Sequence, residues 1–204
     1  MSNPFYDSLS GFSDSFKSIF EVSPTTESNK QILNITRIET PLAPMFACAV
    51  DDGICLLEFT DRQNLESELK SLLKLLNATI VPAENKHFDV LRKQLDEYFK
   101  GSRKKFELQL VTPGTAFQQQ VWEELQTIPF GSTRSYKQQS IALKNPEAIR
   151  AVAHANGMNR IAIIIPCHRV IGSDGDLTGY AGGISKKKWL LNHEQEYKQS
   201  SLEF

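Results

Sequence analysis

A cysteine and a histidine stand side by side at the end of a strongly apolar run. Residues 161–165 are all aliphatic, and Pro166, Cys167 and His168 follow them. A thiolate is a strong nucleophile, and an imidazole is a common base for removing the proton of a thiol. The pair could therefore carry out nucleophilic chemistry. The alternative is that Cys167 is a small buried hydrophobe and His168 a core histidine with satisfied hydrogen bonds.

Within the segment 161–170, the β-branched run predicts a buried β-strand that stops at Pro166 and presents Cys167 and His168 at its end. Successive side chains of a strand point to opposite faces of the sheet. Direct contact between the Cys167 sulfur and the His168 ring is therefore not expected. A proton would have to pass between them through a bent backbone or a bridging water.

The composition suits a globular chain of one or two domains, since 40% of the 204 residues are hydrophobic and 23% are charged. The formal net charge of -1 means that any contact with nucleic acid has to come from a local cluster of Arg and Lys. The cysteines Cys48, Cys55 and Cys167 match neither a disulfide framework nor a metal site in their spacing. We therefore expect no bound metal. No secretory signal or membrane span is evident, so we expect an intracellular protein.

The first half of the chain has the pattern of a small α/β domain. The predicted elements are a short helix at 12–20, strands at 32–38, 46–50, 54–59 and 106–111, and helices at 65–76 and 88–98. Asp51, Asp52 and Gly53 form a strong hairpin signal between two of these strands.

The second half has the pattern of several helices with short connections. Three helix starts are predicted, at the capping boxes Thr115/Gln118 and Ser135/Gln138 and at the pair Asn145-Pro146. The first is predicted to end at 129–131, the second near Leu143, and the third just before Gly157. The last two helices have the outline of a helix-turn-helix, although any pair of antiparallel helices would give the same pattern.

Four segments of the second half carry recognisable motifs. They are Gly114-Thr115-Ala116-Phe117-Gln118-Gln119-Gln120-Val121-Trp122, Pro166-Cys167-His168-Arg169-Val170, Thr178-Gly179-Tyr180-Ala181-Gly182-Gly183 and Trp189-Leu190-Leu191-Asn192-His193-Glu194. In this order they resemble the 6-O-alkylguanine-DNA alkyltransferases, also called methylated-DNA--protein-cysteine methyltransferases. The segment around the cysteine is most similar to the C-terminal part of the bacterial protein Ada. The strong resemblance covers residues 114–194, whereas 32–111 fits the family only in the order of its elements.

The resemblance implies an α+β fold of two domains. A small ribonuclease H-like α/β domain is expected at 31–112. A mostly helical, winged-helix-like DNA-binding transferase domain with a helix-turn-helix is expected at 113–196. Residues 1–30 would be a leader plus linker, and 197–204 a tail.

The resemblance also implies a reaction without a cofactor. Cys167 would accept a methyl group from 6-O-methylguanine in duplex DNA, and also from 4-O-methylthymine. His168 would take the thiol proton through a water, Glu194 would orient the imidazole, and Asn159 would act as a hinge beside the reactive strand. Because a thioether has no easy leaving path, each chain should act once and irreversibly.

Double-stranded DNA is the partner that the resemblance implies. The damaged nucleotide would have to rotate out of the helix, because no thiol reaches a base inside the stack. The third helix of the second half would enter the minor groove and Arg150 would fill the gap left by the base. The expected DNA-binding residues are Ser135, Tyr136, Ala148, Arg150 and Ala151. We further expect a monomer located in the cytoplasm of a bacterium, with no membrane contact.

The alkylguanine pocket is expected to consist of Tyr136, Val170, Tyr180 and Ala181. The carbonyls of Cys167 and Val170 would face the guanine amino group, and the Ala181 N–H its 6-oxygen. Arg160 stands where many family members have proline, which favours methyl over bulky adducts.

A second resemblance concerns residues 5–24, which look like the end of an AraC-type DNA-binding domain. Such a remnant is too short to bury a core. The alternatives to repair are a fragment of a methylation-sensing transcriptional regulator, a lesion-binding protein without catalysis, and a cysteine hydrolase. The regulator would need a complete promoter-binding domain, the lesion binder would lack Cys167, and the hydrolase would turn over an ester repeatedly.

Overall fold

The computed structural model describes residues 29–199, so the segment at 5–24, with the helix predicted at 12–20, lies outside it. The elements in chain order are β1 Gln31–Ile38, β2 Met45–Val50, β3 Gly53–Phe59, α1 Leu65–Leu75, β4 Ala78–Pro82, α2 Lys86–Phe99, α3 Ala116–Leu125, β5 Arg134–Ser135, α4 Tyr136–Ala142, α5 Ile149–Gly157, a 3-10 helix Cys167–Arg169, β6 Val170–Ile171 and α6 Ile184–Gln199. We call 29–112 the N-terminal half and 113–199 the C-terminal half. The mixture of sheet and helices confirms the predicted α+β class.

The N-terminal half is built on a four-stranded sheet in the order β3-β2-β1-β4. β1 and β2 pair antiparallel, as do β2 and β3, whereas β1 and β4 pair parallel. The hairpin predicted between β2 and β3 is confirmed. A side chain at Gly53 would collide with the carbonyl of Gln109, which explains the glycine there.

The two faces of the sheet bury two separate hydrophobic clusters. Along β2, Phe46 and Cys48 lie in one cluster while Met45 and Ala47 lie in the other, as the alternation of strand side chains requires. One face is covered by leucines of α1. The other face packs against α2 and against apolar residues of the C-terminal half, so both halves share one core.

Two extended segments cover the outer edge of β3. Ile54 exchanges backbone hydrogen bonds with the chain at 109–111, with N···O distances of 2.9 and 2.8 Å. Leu57 N–H donates to the carbonyl of Arg160 at 2.9 Å, and Ala162 N–H donates to the carbonyl of Leu57 at 2.8 Å. The backbone that leads to Cys167 is therefore anchored to the N-terminal sheet.

α4 and α5 form the predicted helix-turn-helix. The capping boxes at Thr115 and Ser135 are both present and begin α3 and α4 where predicted. A reciprocal pair of buried amides joins α4 to α5: Asn156 Nδ2 donates to Gln139 Oε1 at 2.7 Å, and Gln139 Nε2 donates to Asn156 Oδ1 at 3.2 Å. This pair fixes the angle between the two helices.

The strand predicted to run from Ile161 to the stop at Pro166 is wrong. Ile161 makes one bridge to Leu57, and the chain then turns tightly, with Ile165 N–H donating to the Ile161 carbonyl at 3.0 Å. Ile163 has a φ of 71°, in the left-handed region that a β-branched residue rarely adopts. A continuous apolar run shows burial but has no periodicity that separates a strand from compact turns.

Other predicted boundaries also need correction. α5 begins at Ile149, not at Asn145-Pro146, because those residues form a turn in which Ala148 N–H donates to the Asn145 carbonyl at 3.0 Å. Gly157 is the last residue of α5 and does not lie beyond it. α3 ends at Leu125, before the predicted stop at 129–131.

Two predictions about strands also fail. The segment at 106–111 has one bridge, at Leu110, and is otherwise not a strand. β4 lies between the first two helices, where the sequence pattern predicted none; its five residues are too few to show a clear alternation.

Within 29–199, no helix combines the length and the apolar character needed to cross a membrane.

Candidate active site

Asn159 joins the end of α5 to Cys167. Its Nδ2 donates to Cys167 Sγ at 3.2 Å and to the carbonyl of Ile165 at 2.8 Å. Its Oδ1 accepts from the N–H of Ile161 at 3.0 Å. The side chain therefore holds both sides of the tight turns at 161–166 and presents a hydrogen-bond donor to the sulfur.

The thiol of Cys167 is almost enclosed, with 9% of the residue exposed. Burial raises the pKa of Cys167 to about 11, although the hydrogen bond from Asn159 opposes this rise. The uncharged thiol is therefore the resting form at neutral pH, and a nearby base is needed to generate the reactive thiolate.

His168, the residue after the cysteine, is fully buried, and its ring contacts Glu194. The distance from His168 Nε2 to Glu194 Oε1 is 2.8 Å. Burial lowers the pKa of His168, against the opposing effect of Glu194. Among the described residues Nδ1 of the ring has no hydrogen-bond partner. With Nε2 donating to the carboxylate, Nδ1 is the nitrogen that can accept a proton.

Glu194, on α6, is the centre of a buried network. The five hydrogen bonds to its carboxylate come from Tyr98 Oη, His168 Nε2, Arg169 Nη2, Gly131 N and Arg169 Nε. Burial works to raise the pKa of Glu194, but His168 and Arg169 outweigh burial and hold the pKa well below its usual range. The carboxylate is therefore a permanent negative charge beside the imidazole.

A cavity of about 570 Å³ opens onto the Cys167 thiol. Of the predicted site residues it brings together Tyr136, Arg150, Cys167, Tyr180 and Ala181. Its remaining lining residues are Ile149, Ala153, Asn156, Gly157, Thr178 and Gly179. Since both α4 and α5 contribute to the wall, the cavity lies between the helix-turn-helix and the 178–181 segment.

The other predicted DNA or pocket residues do not line this cavity. Ser135 is the N-cap of α4, Ala148 precedes α5, and Ala151 is exposed on α5. Val170 is fully buried, and its carbonyl accepts a hydrogen bond from Lys187 Nζ at 2.5 Å. These residues lie near the site without facing its open space.

Comparison with known proteins decides the family. The model of the 6-O-methylguanine DNA methyltransferase DNA binding domain matches residues 116–196, and that of the ribonuclease-like domain of the same family matches 34–112. A methylated-DNA--protein-cysteine methyltransferase of Methanosarcina barkeri is 42% identical over 162 residues, which cover 78% of this chain and 94% of the relative. The chain belongs to the 6-O-methylguanine DNA methyltransferase family.

Two further relatives agree with this assignment. The constitutive methylated-DNA--protein-cysteine methyltransferase of Bacillus subtilis is 40% identical over 169 residues, which cover 80% of this methyltransferase and 97% of the relative. The crystal structure of Mycobacterium tuberculosis OGT in complex with DNA is similar with a TM-score of 0.68 and 37% identity. That similarity covers 81% of this chain and 94% of the other.

The sequence did not reveal Lys187, which lies beside the site of this methyltransferase. Lys187 is fully buried and donates to the carbonyls of Val170, Thr178 and Gly179 at 2.5, 2.7 and 3.4 Å. Burial lowers the pKa of Lys187 to about 8, against the opposing effect of Cys167. In the sequence it is the middle residue of a Lys186-Lys187-Lys188 run, which is typical of a solvated helix face. Nothing local distinguishes it from its neighbours.

Proposed function

We propose that this chain repairs alkylated DNA directly, by moving a methyl group from 6-O-methylguanine, and also from 4-O-methylthymine, to Cys167. The observation that carries the proposal is that Cys167 lines a cavity whose wall includes residues of both helices of the helix-turn-helix. A base rotated out of a duplex bound to that motif would enter this space. The names of the relatives, which describe methyl transfer from DNA to a protein cysteine, support the same reaction.

The transfer needs one base and no cofactor. His168 Nδ1 takes the thiol proton through a bridging water, and Glu194 balances the charge of the imidazolium. The thiolate attacks the methyl carbon, a C–S bond forms, and the C–O bond breaks with its electron pair left on the guanine. A proton equivalent to the one removed from the thiol is then added to the released guanine anion, which restores neutral guanine.

The product limits each chain to a single reaction. The methyl thioether on Cys167 carries no proton and has no leaving group that water displaces easily. The thioether also lies in the same enclosed position as the thiol. We therefore expect a stoichiometric yield that stops at one methyl group per chain.

DNA would be bound through its minor groove by α5. Arg150 is exposed near the start of α5 and lines the cavity, so it is placed to fill the gap left by the rotated base. Tyr136 Oη donates to the carbonyls of Thr178 and Gly179 at 3.1 and 3.3 Å, which places its ring at the wall of the cavity. The small side chains of Ala148 and Ala151 would permit close approach of the backbone to the groove.

The proposal includes the two-domain division at 31–112 and 113–196, which the ranges of the two family models support. It also includes action as a monomer in the bacterial cytoplasm, where chromosomal DNA is accessible. Size-exclusion chromatography with light scattering would test the monomer, and a dimer would contradict it.

The direct test uses a duplex oligonucleotide with an isotopically labelled 6-O-methylguanine. Mass spectrometry of the digested protein should find one label per chain, on the peptide that contains Cys167. Cys167→Ser should acquire none, whereas the matched control Cys55→Ala should react normally, because Cys55 is buried in the cluster on the other face of the sheet. Label on another residue, or repeated turnover of an ester substrate, would overturn the proposal.

A further inference from the structure

A cation of the N-terminal half reaches the backbone that carries the active site. Arg62 follows β3, and 8% of its side chain is exposed. Its Nη1 donates to the carbonyl of Asn159 at 3.1 Å, and its Nη2 donates to the carbonyl of Gly157 at 3.2 Å. These two carbonyls mark the end of α5 and the residue that donates to the Cys167 sulfur.

Two buried carboxylates hold the Arg62 guanidinium in place. Glu58, on β3, is in direct contact with Nη1, and Glu68, on α1, lies 3.0 Å from it. The side chains of Glu58 and Glu68 are 3% and 10% exposed. Because a guanidinium is planar and donates in fixed directions, acceptors on both of its ends determine its orientation. The two carboxylates hold Nη1 from the N-terminal half, and the Gly157 carbonyl of the C-terminal half accepts from Nη2, so both halves together set the orientation of Arg62.

The contacts of Asn159 extend this chain of interactions to the sulfur. The Arg62 guanidinium holds the Asn159 carbonyl, and the side chain of Asn159 donates to Cys167 Sγ at 3.2 Å. Asn159 lowers the pKa of the Cys167 thiol, and the positive charges of Lys187 and Arg62 act in the same direction, whereas the charge of Glu58 raises it. A shift of the 157–159 backbone would move this donor away from the sulfur.

We propose that Arg62 is a positioning residue for methyl transfer. It contacts both the end of α5, which would contact DNA, and Asn159, the hinge residue that stabilises the thiolate. In this way Arg62 keeps α5 and Asn159 in the same relative position when DNA binds. The N-terminal half would then take part in the reaction through Asn159, in addition to its role in the core. The effect on methyl transfer rests on the proposed function, whereas the effect on the thiol does not.

The test compares Arg62→Met and Arg62→Lys with Arg92→Met, a control at a more exposed ion pair. Arg92 also belongs to the N-terminal half and also forms an ion pair, with Glu84 at 2.8 Å, but contacts no residue of the active site. Alkylation of Cys167 by iodoacetamide is followed against pH without DNA. Single-turnover methyl transfer and binding of an unmethylated duplex are measured separately, all below the melting temperature of every variant.

The expected result is a slower thiol reaction with intact folding. Arg62→Met should slow alkylation of Cys167 at pH 8 by about tenfold and move its pH profile upward, because loss of a hydrogen bond to a charged group changes a pKa by about one unit. Saturated methyl transfer should fall by about tenfold or more while the Kd for the duplex changes less than about threefold. Arg62→Lys should slow both reactions less than Arg62→Met does. Lysine keeps the positive charge but lacks the two nitrogens with which Arg62 contacts the Asn159 and Gly157 carbonyls. If Arg62→Met does not fold, Arg62→Lys tests the proposal alone. Its alkylation of Cys167 should still be slower than that of the unsubstituted chain, and an unchanged rate would overturn the proposal.

A double-mutant cycle with Asn159→Ala separates positioning from general destabilisation. If Arg62 acts through the Asn159 side chain, adding Arg62→Met to Asn159→Ala should slow alkylation by less than about twofold further. Independent, multiplicative losses would overturn the proposal, as would an Arg62→Met profile identical to that of Arg92→Met. If the unsubstituted chain transfers no methyl group, the proposed function fails, while the alkylation data still decide the role of Arg62.

Discussion

Replacing Glu194 by glutamine should damage both stability and chemistry, because the carboxylate is the common acceptor of a buried network. An amide has one oxygen and one NH2 group. Whichever way it is turned, the NH2 group faces donors: Tyr98, His168 and Arg169 on one side, or Gly131 and Arg169 on the other. The Tyr98 hydroxyl and a neutral His168 ring can also act as acceptors, whereas Arg169 and the Gly131 N–H can only donate. At least one of the five hydrogen bonds is therefore replaced by repulsion between donors.

The magnitude follows from the charge that is left behind. The Arg169 side chain is 7% exposed, and the substitution removes the carboxylate that faces it. Removing one partner of a buried ion pair costs about 3–5 kcal/mol. We therefore expect the free energy of unfolding of Glu194→Gln to fall by that amount in urea titrations. The matched control Glu123→Gln, at an exposed position of α3, should stay within about 0.5 kcal/mol.

The same substitution should slow methyl transfer by about 100-fold or more, which is the lower end of what a positioned base contributes. Without the carboxylate the imidazolium at His168 has no counter-charge. Because the folded pKa of Glu194 is depressed, its stabilising effect is present above the unfolded carboxyl pKa of about 4.3 and is lost as the pH falls further. The stability difference should thus be constant from pH 8 to 5 and shrink below about pH 4. Equal stability and equal transfer rates in Glu194→Gln and the control would refute this reasoning.

Three further predictions concern the thiol, the buried lysine and the DNA contact. The rate of Cys167 alkylation by iodoacetamide should rise up to pH 9 without a plateau, because its pKa is raised to about 11; a plateau near pH 7 would contradict this. Lys187→Met should slow single-turnover transfer about tenfold by releasing three carbonyls near the pocket, unlike the exposed control Lys188→Met. Arg150→Ala should slow transfer by about tenfold without lowering Tm, since unstacking a base costs a few kcal/mol; unchanged transfer would contradict the role of Arg150.

Local signals predicted the local structure well. The capping boxes at Thr115 and Ser135 begin α3 and α4 because each involves residues three positions apart. The Asn145-Pro146 signal failed because the same residues are equally compatible with a turn. The left-handed Lys144, with a φ of 58°, precedes this turn and delays α5 until Ile149.

The residues that the sequence did not reveal are charged groups whose burial depends on distant partners. Arg62 contacts the Gly157 carbonyl across 95 positions of the chain, and Arg169 contacts Glu194 across 25. In the sequence, nothing about Arg62 or Arg169 indicates that the side chain is buried or which residue it contacts. Cys167, His168 and Glu194 were found because a family motif names them, and their roles as nucleophile, base and orienting group remain predictions.

The covered edge of β3 has a consequence for how the chain folds and for its tendency to self-associate. An open strand edge offers unpaired N–H and C=O groups to other molecules and promotes aggregation. Here the backbone at 109–111 and at 160–162 occupies those groups. A fragment that ends before residue 113 would expose half of that edge together with the apolar sheet face. We therefore expect calorimetry of the whole chain to show a single cooperative transition, and the isolated fragment to self-associate.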